Sequence, residues 1–482
     1  MIVMKQFLQR ITYSDCVFYF LAVAIFIVFL MPFMHFTTLN IMSIAGEKGK
    51  YFNDLRSVNL YLFIDRYYIF YYSLCIASAA ILLNKQLLSK VIELFKSFSK
   101  LIQYAIAIFF IFGIISSAFA ISPSIAFKGV AVTFLQFFCV LFIATHIRDN
   151  TKNIQVFFTI ILLSLIFFGG ALFLQLSLAN YSVYGPAIAG NIQKVLLYMY
   201  NCLNPRFLDN YFSWFLPLLL LPWFVDLRPI YKIGAFIALT LSWFILINHA
   251  FRTIFAEYIV ILPLLFIFAR QYFRLAFTLL ISALICGFLL DLFYTNFIMA
   301  NVHSGITSTE DLLRTGASGR LGLWNEAFWV GINHPLTGIG QWNYIAVTKY
   351  QQHGYPHNLL LEIWSQWGIP AFIAAATVII TSVKNLFKNR VEICSNPYHL
   401  IFIMMLTAGM IDGMLNAMFK TSLGLFGCVF VFGFCLSIFA SKIQTIDNIN
   451  ISKISYLIIS LAIIASLFCI VILPIIFPPM WI

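Results

Sequence analysis

Charge is scarce in this chain. Of its 482 residues only 10% are Asp, Glu, Lys or Arg, while 62% are hydrophobic. No soluble core needs that much apolar surface, which excludes a soluble globular fold. Cysteine is present without a pattern. The nine cysteines lie mostly inside apolar runs (Cys75, Cys139, Cys286, Cys428, Cys435, Cys469), with no CxxC pair and no Cys/His cluster. That excludes a disulfide framework and a structural zinc site, and Cys202 in an outer loop has no evident partner. There is no Asp-x-Asp and no carboxylate pair facing a plausible substrate site, so no metal and no cofactor are expected. No internal repeat and no separate soluble domain are visible. A cleavable leader is also not expected: the apolar run after Lys5 and Arg10, residues 16–36, is too long for a signal h-region and lacks a convincing cleavage site.

What remains is a series of apolar runs of about twenty residues, the length that a hydrocarbon slab of roughly 30 Å demands of a spanning helix. Barrel strands would alternate in polarity, and these runs do not. The expected fold is all-α, a polytopic transmembrane helical bundle of about 12–13 spans. They fall near residues 16–36, 66–84, 101–120, 129–146, 154–175, 210–226, 232–250, 253–269, 274–294, 358–381, 399–415, 421–440 and 454–476. With the N-terminus inside, seventeen of the 29 basic residues fall in inner loops, each inner loop carrying at least two. This fits the positive-inside rule without adding or removing a helix. It also accounts for the net charge of +12, which in a soluble protein would point to nucleic acid. No nucleic-acid partner is expected here.

Residues 1–482 therefore read as one integral membrane domain with two long outer segments, 177–209 and 295–357. Long loops in a compact protein are usually functional or disordered. The second has helix-forming stretches at Leu321–Gly331 and Trp342–Tyr350 between Gly and Pro turns. It carries Ser318-Gly319-Arg320 with Trp324, then His334-Pro335-Leu336-Thr337-Gly338-Ile339-Gly340, then Tyr355-Pro356-His357-Asn358. Leu360-Leu361-Glu362 and Trp367-Gly368-Ile369-Pro370 follow in the next span. Arg252 interrupts the oily stretch from Ile245 to Phe268. An ionisable residue at membrane depth is a functional-site hypothesis by default.

In its order of motifs the segment resembles the O-antigen ligase and O-antigen polymerase superfamily. The resemblance covers Ser318 to Pro370 and extends more loosely to Asn204-Pro205-Arg206-Phe207 and to Arg252. Two departures stand out: Tyr355 takes the place of the first histidine of an HPHN-like motif, and Phe251 and Thr253 flank Arg252 where relatives often carry Ser and Gly. The resemblance implies a glycosyltransferase of GT-C-like architecture in a bacterial inner membrane, with the N-terminus cytoplasmic and the active site periplasmic. The implied donor is a glycan on undecaprenyl diphosphate. The acceptor is lipid A–core, a growing glycan or a protein hydroxyl, and membrane lipids surround the whole.

The chemistry suits the residues. Negative charge grows on the departing diphosphate, and guanidinium groups in a water-poor site stabilise it bidentately. Arg252 and Arg320 are the candidates, with Arg206 a third. A neutral imidazole suits removal of the acceptor proton, which points to His357. Asn358 and Glu362, one helical turn apart, and Trp324 are candidates for orienting the imidazole or binding sugar. Plainer roles stand beside these. Arg252 can snorkel to headgroups, Arg320 can be a solvated loop cation, and His357 can simply begin a helix. Arg206 is balanced between headgroup anchor and substrate ligand. His334 and the Gly338–Gly340 pair read as a structural turn, and Asp412 as a loop-solvated carboxylate. The expected reaction is ligation of O-antigen to lipid A–core; polymerase and protein O-oligosaccharyltransferase are alternatives, and a flippase for a lipid-linked glycan is the rival from another class.

Overall fold

The computed structural model describes residues 12–36, 50–149, 152–182, 206–248, 251–294, 296, 320–349, 355–416, 418–440 and 453–471. The helices, in chain order, are α1 (Tyr13–Phe36), α2 (Lys50–Leu83), α3 (Lys85–Ser97), α4 (Lys100–Ala118), α5 (Pro123–Asp149), α6 (Lys152–Ser182) and α7 (Arg206–Phe215). They continue with α8 (Leu221–Phe224), α9 (Pro229–Asn248), α10 (Thr253–Phe268), α11 (Arg270–Phe293), α12 (Arg320–Asn333) and α13 (Leu359–Lys388). The last are α14 (Arg390–Ser395), α15 (Pro397–Leu415), α16 (Ser422–Ala440) and α17 (Lys453–Val471). No strand occurs among the described residues, and the protein is an all-α polytopic bundle.

Eight of these helices, α4, α5, α6, α9, α11, α13, α15 and α16, contain stretches long and apolar enough to cross a membrane. Shorter apolar helices lie at Tyr13–Phe29, Thr253–Phe268 and Leu457–Ile470. The end of α2 and the whole of α3 form a pair bent by 101°. Asn84 makes that bend: its side chain caps α3 by accepting from the backbone N–H groups of Gln86 and Leu87. The stretch after it, expected to be an inner loop, is an amphipathic helix. Leu87, Leu88, Val91, Ile92 and Leu94 are buried, while lysines 85, 90 and 96 stay on the other face.

The span expected at 210–226 is not one helix. Helix α7 ends at Phe215, a 3₁₀ turn runs from Pro217 to Leu220, and α8 is a single turn. Pro217 and Pro222 lack the N–H that a continuing helix requires. In the outer segment, α12 covers the expected 321–331 stretch, whereas only a 3₁₀ turn, Tyr344–Ala346, forms within 342–350.

Helices α5 and α16 pack on each other at the centre, α13 packs on α4 and α12, and α7 wedges between α15 and α16. Trp214 of α7 is fully buried and donates from Nε1 to the carbonyl of Gly424 at 2.9 Å. Gly409 and Gly427 give its ring the room to enter, because a Cβ at either would overlap it. Small residues let helices close up where lipid supplies no hydrophobic drive.

Helix α13 is broken inside the span. Gly368 has φ 80° and ψ 179°, a region open in practice only to glycine. The His334–Gly340 turn is laced into the break. Ile339 N–H donates to the Ser365 carbonyl at 3.1 Å, Gly340 N–H to the Gln366 carbonyl at 2.9 Å, and Ile369 N–H to the Pro335 carbonyl at 2.7 Å. Ser116 Oγ of α4 donates to the Gln366 carbonyl as well, at 2.5 Å. A Cβ at Gly368 would stand 2.6 Å from the Leu336 oxygen. Gly368→Ala is therefore expected to cost about 1–3 kcal/mol and to lower the melting temperature of the detergent-solubilised protein. Gly170→Ala, where nothing lies within 4 Å of the new methyl, is expected to be neutral or to stabilise by up to about 1 kcal/mol.

Candidate functional site

The motif residues gather around the C-terminal end of α15. Arg320 is the first residue of α12, and its Nη2 donates to Asn416 Oδ1 at 2.6 Å. Asn416 Nδ2 donates to Thr253 Oγ1 at 3.0 Å and also to Asp412 Oδ1. Thr253 opens α10, and Arg252 holds that helix's N-cap position. From the other side Asn358 Nδ2 donates to the Met414 carbonyl at 3.2 Å. One turn of α15 thus holds the starts of α10, α12 and α13, bringing together the segments that carry Arg252, Arg320 and His357.

Each remaining candidate has a definite place. His357 adopts φ 55°, a left-handed conformation uncommon outside glycine, and its ring lies 4.6 Å from that of Tyr355. Burial, reinforced by the Glu362 carboxylate, pushes the Tyr355 phenol above its ordinary range. Tyr355 is thus a neutral hydroxyl at working pH, not a base. Asn358 caps α13, its Oδ1 accepting from Leu361 N–H at 3.0 Å. With its amide on Met414, it fastens backbone at both ends. Trp324 is half-buried on α12, and its Nε1 meets no acceptor among the described residues. Arg206 is the first residue of α7. Cys202, Asn204, Pro205, Ser318 and Gly319 lie outside the described residues. His334 belongs to the structural turn, its carbonyl accepting from Gly338 N–H at 2.9 Å.

Asp412 corrects an expectation. It is not solvated in a loop but fully buried inside α15. Asn210 Nδ2 donates to its Oδ2 at 2.5 Å, and Thr421 Oγ1 supports Asn210 at 3.0 Å. Asp209 and Glu257, both fully buried, are close enough to interact with it electrostatically. Glu257 Oε1 accepts from Ser213 Oγ at 2.7 Å. Asp209, Asn210, Ser213 and Thr421 escaped sequence reading because nothing along the chain shows that they face Asp412. The available signal was helical spacing: Asp209, Asn210 and Ser213 lie on one face of α7. Among the described residues no three His, Cys, Asp or Glu side chains are arranged to hold a metal ion.

A cavity of about 1110 Å³ opens beside this cluster. Its polar end is lined by Tyr355, Glu362 and Gln366 of the α13 region, Lys420, and Gln341 and Lys128. Glu362 and Lys420 form an ion pair with both side chains largely buried. Gln366 Oε1 accepts from Trp342 N–H at 2.9 Å. The remainder of the lining is mostly apolar, chiefly from α4, α5, α13, α15 and α16, with Ser97, Ser99, Thr133, Gln136, Ser382 and Asn385 also on it. Arg252, Arg320 and His357 stand outside the lining.

Fold and site together define a multi-pass helical membrane protein whose polar cluster, at one end of the bundle, adjoins a large apolar cavity. Residues 236–376 match the model of the Wzy_C family, described as O-antigen ligase. The matched stretch runs from α9 to the middle of α13 and includes Arg252, Arg320, the His334–Gly340 turn, His357 and Glu362. At the level of the family this supports membrane-bound glycosyl transfer of the O-antigen ligase and polymerase type, in a multi-pass bacterial membrane protein. A search of curated proteins finds no match.

The Glu362–Lys420 pair gives a direct test of the cavity's polar end. Removing one partner strands the other's charge in a poorly solvated place, so Lys420→Met should destabilise the protein by about 3–5 kcal/mol. The double variant with Glu362→Gln should recover most of that loss. Thermal melting of the two variants side by side checks it.

Proposed function

We propose that this protein is an O-antigen ligase. It transfers a glycan from undecaprenyl diphosphate to a hydroxyl of lipid A–core at the periplasmic face of the inner membrane, with the N-terminus in the cytoplasm. The observation that carries the reading is the convergence on one turn of α15: Asn416 joins Arg320 to the start of α10, and Asn358 joins the His357 segment to Met414. Two guanidinium-bearing segments and one imidazole-bearing segment thereby share a site beside an apolar cavity.

In the proposed reaction the acceptor oxygen attacks the anomeric carbon, and the bond from that carbon to the diphosphate oxygen breaks. The diphosphate leaves with the electron pair. Arg252 and Arg320, with Arg206 as a third cation, stabilise its growing charge. The His357 imidazole takes the acceptor proton as the new bond forms. Glu362 and Trp324 contribute to glycan binding. Asn358 acts on this site through the backbone it caps, holding His357 at the mouth of α13. No divalent cation enters this scheme.

The test is a deletion strain complemented with variants. Loss of all polymer from the lipid core, with polymer still on its carrier, is the expected result. A single repeat unit on the core would indicate a polymerase instead. Intact lipopolysaccharide with an unglycosylated secreted protein would indicate a protein O-oligosaccharyltransferase. His357→Ala, present in the membrane at wild-type level, should reduce transfer by at least about 100-fold, the lower range for a lost general base. Transfer by purified protein should persist in excess chelator. Normal transfer by the His357 variant, or a requirement for added magnesium or manganese, would contradict the scheme.

A further inference from the structure

One charge in the bundle is left unexplained by the cluster around α15. Lys128 lies on α5, the central helix, and points into the cavity. Its Nζ stands 5.1 Å from the ring centroid of Tyr71 and 5.8 Å from that of Tyr68. Among the side chains the structure describes, no carboxylate stands within ion-pair distance of it. Lys420, the other lysine on the lining, is already matched by Glu362. An ammonium group in a span, held on two aromatic faces and with no carboxylate among the described side chains to match it, is a site suited to an anion.

The surroundings place Lys128 at the cavity's polar end. Tyr71 packs on Trp342 at 6.1 Å. Trp342 N–H is held by Gln366, and Gln341 Nε2 donates to Thr133 Oγ1 of α5 at 3.0 Å. Beyond this end the lining is long and mostly apolar, with Ser382 and Asn385 toward the C-terminal end of α13. On α13 it extends from Leu359 to Leu386, which at 1.5 Å per residue is about 40 Å of helix contour. On α16 it extends from Leu425 to Phe439, about 21 Å. A phospholipid tail covers one leaflet, about half of a roughly 30 Å core. The trench outlasts such a tail.

We infer that Lys128, seated on Tyr68 and Tyr71, binds the phosphate of a polyprenyl-chain lipid whose tail lies in the trench between α4, α5, α13 and α16. This deepens the proposed function and rests on it, assigning the donor's lipid anchor to residues outside the arginine and histidine cluster. Lys128 then holds the leaving group's lipid end while the cluster at α15 meets its glycan end.

The test uses native mass spectrometry of the full chain in detergent, with undecaprenyl monophosphate, undecaprenol and dipalmitoyl phosphatidic acid as probes. Lys128→Met should weaken undecaprenyl monophosphate binding by about tenfold or more, the scale of a lost charge-assisted contact. It should leave undecaprenol unaffected, and Lys128→Arg should retain most of the binding. Ala375→Trp, which fills the trench away from the charge, should weaken both polyprenyl lipids. Undiminished binding to the Lys128→Met and Ala375→Trp variants would overturn the inference. So would phosphatidic acid binding as tightly as undecaprenyl monophosphate with the same dependence on Lys128. If binding ignores Lys128 while His357→Ala still abolishes glycan transfer, this placement of the lipid falls and the ligase reading stands. If Lys128-dependent binding holds but wild-type protein transfers no glycan, the lipid site stands and the ligase reading falls.

Discussion

A backbone amide in hydrocarbon has no water to bond, so a helix interrupted within a membrane must find its partners in protein. The break in α13 at Gly368 meets that constraint with another piece of chain. The turn from His334 to Gly340 enters the gap and exchanges hydrogen bonds with Ser365, Gln366 and Ile369. Much of the site follows from this joint. It fixes the first part of α13, with Glu362 and Gln366, against the outer segment. It also aligns Gln341 and Trp342 beside α5. The glycines are dictated by the closeness of the two chains, since a side chain at Gly338 would overlap the Gln366 backbone.

The second organising feature is a buried polar network. Asn416 ties Arg320, Thr253 and Asp412 together, and Asn210 carries the connection on to Thr421. Buried polar groups that are all partnered rigidify a unique arrangement, whereas half-satisfied ones destabilise it. In the proposed reaction a guanidinium held this way is pre-oriented before substrate arrives, as a fixed charge must be to stabilise a transition state without reorganising. The cavity lies to one side of the network rather than around it. The proposed division of labour follows that layout: lipid in the trench, chemistry at the end of α15.

Much of this was legible in the sequence. Apolar runs of spanning length gave the helices, since lipid thickness sets their length independently of what they pack against. The order of motifs from Ser318 to Pro370 gave the family later matched over residues 236–376. The reading failed where local pattern and tertiary demand diverge. Lysines after Asn84 read as an inner loop, yet the same stretch folds as an amphipathic helix on the bundle. The run at 210–226 is apolar enough for a span but contains two prolines that divide it. Asp412 read as solvated because it stands near a helix end, yet Asn210 and Asn416 surround it.

By itself the sequence determined that this chain is a helical membrane protein, and it determined which polar residues are few enough to matter. Hydropathy and composition act locally, and a lone charge in an apolar run is visible without knowing its neighbours. Only the tertiary structure decided which of those residues meet. Residues 210, 253, 320, 358 and 416 are joined by helix packing, which no spacing along the chain encodes. The same packing left Lys128 facing a cavity while Lys420 found a carboxylate, because a charge's environment is set by whichever helices surround it.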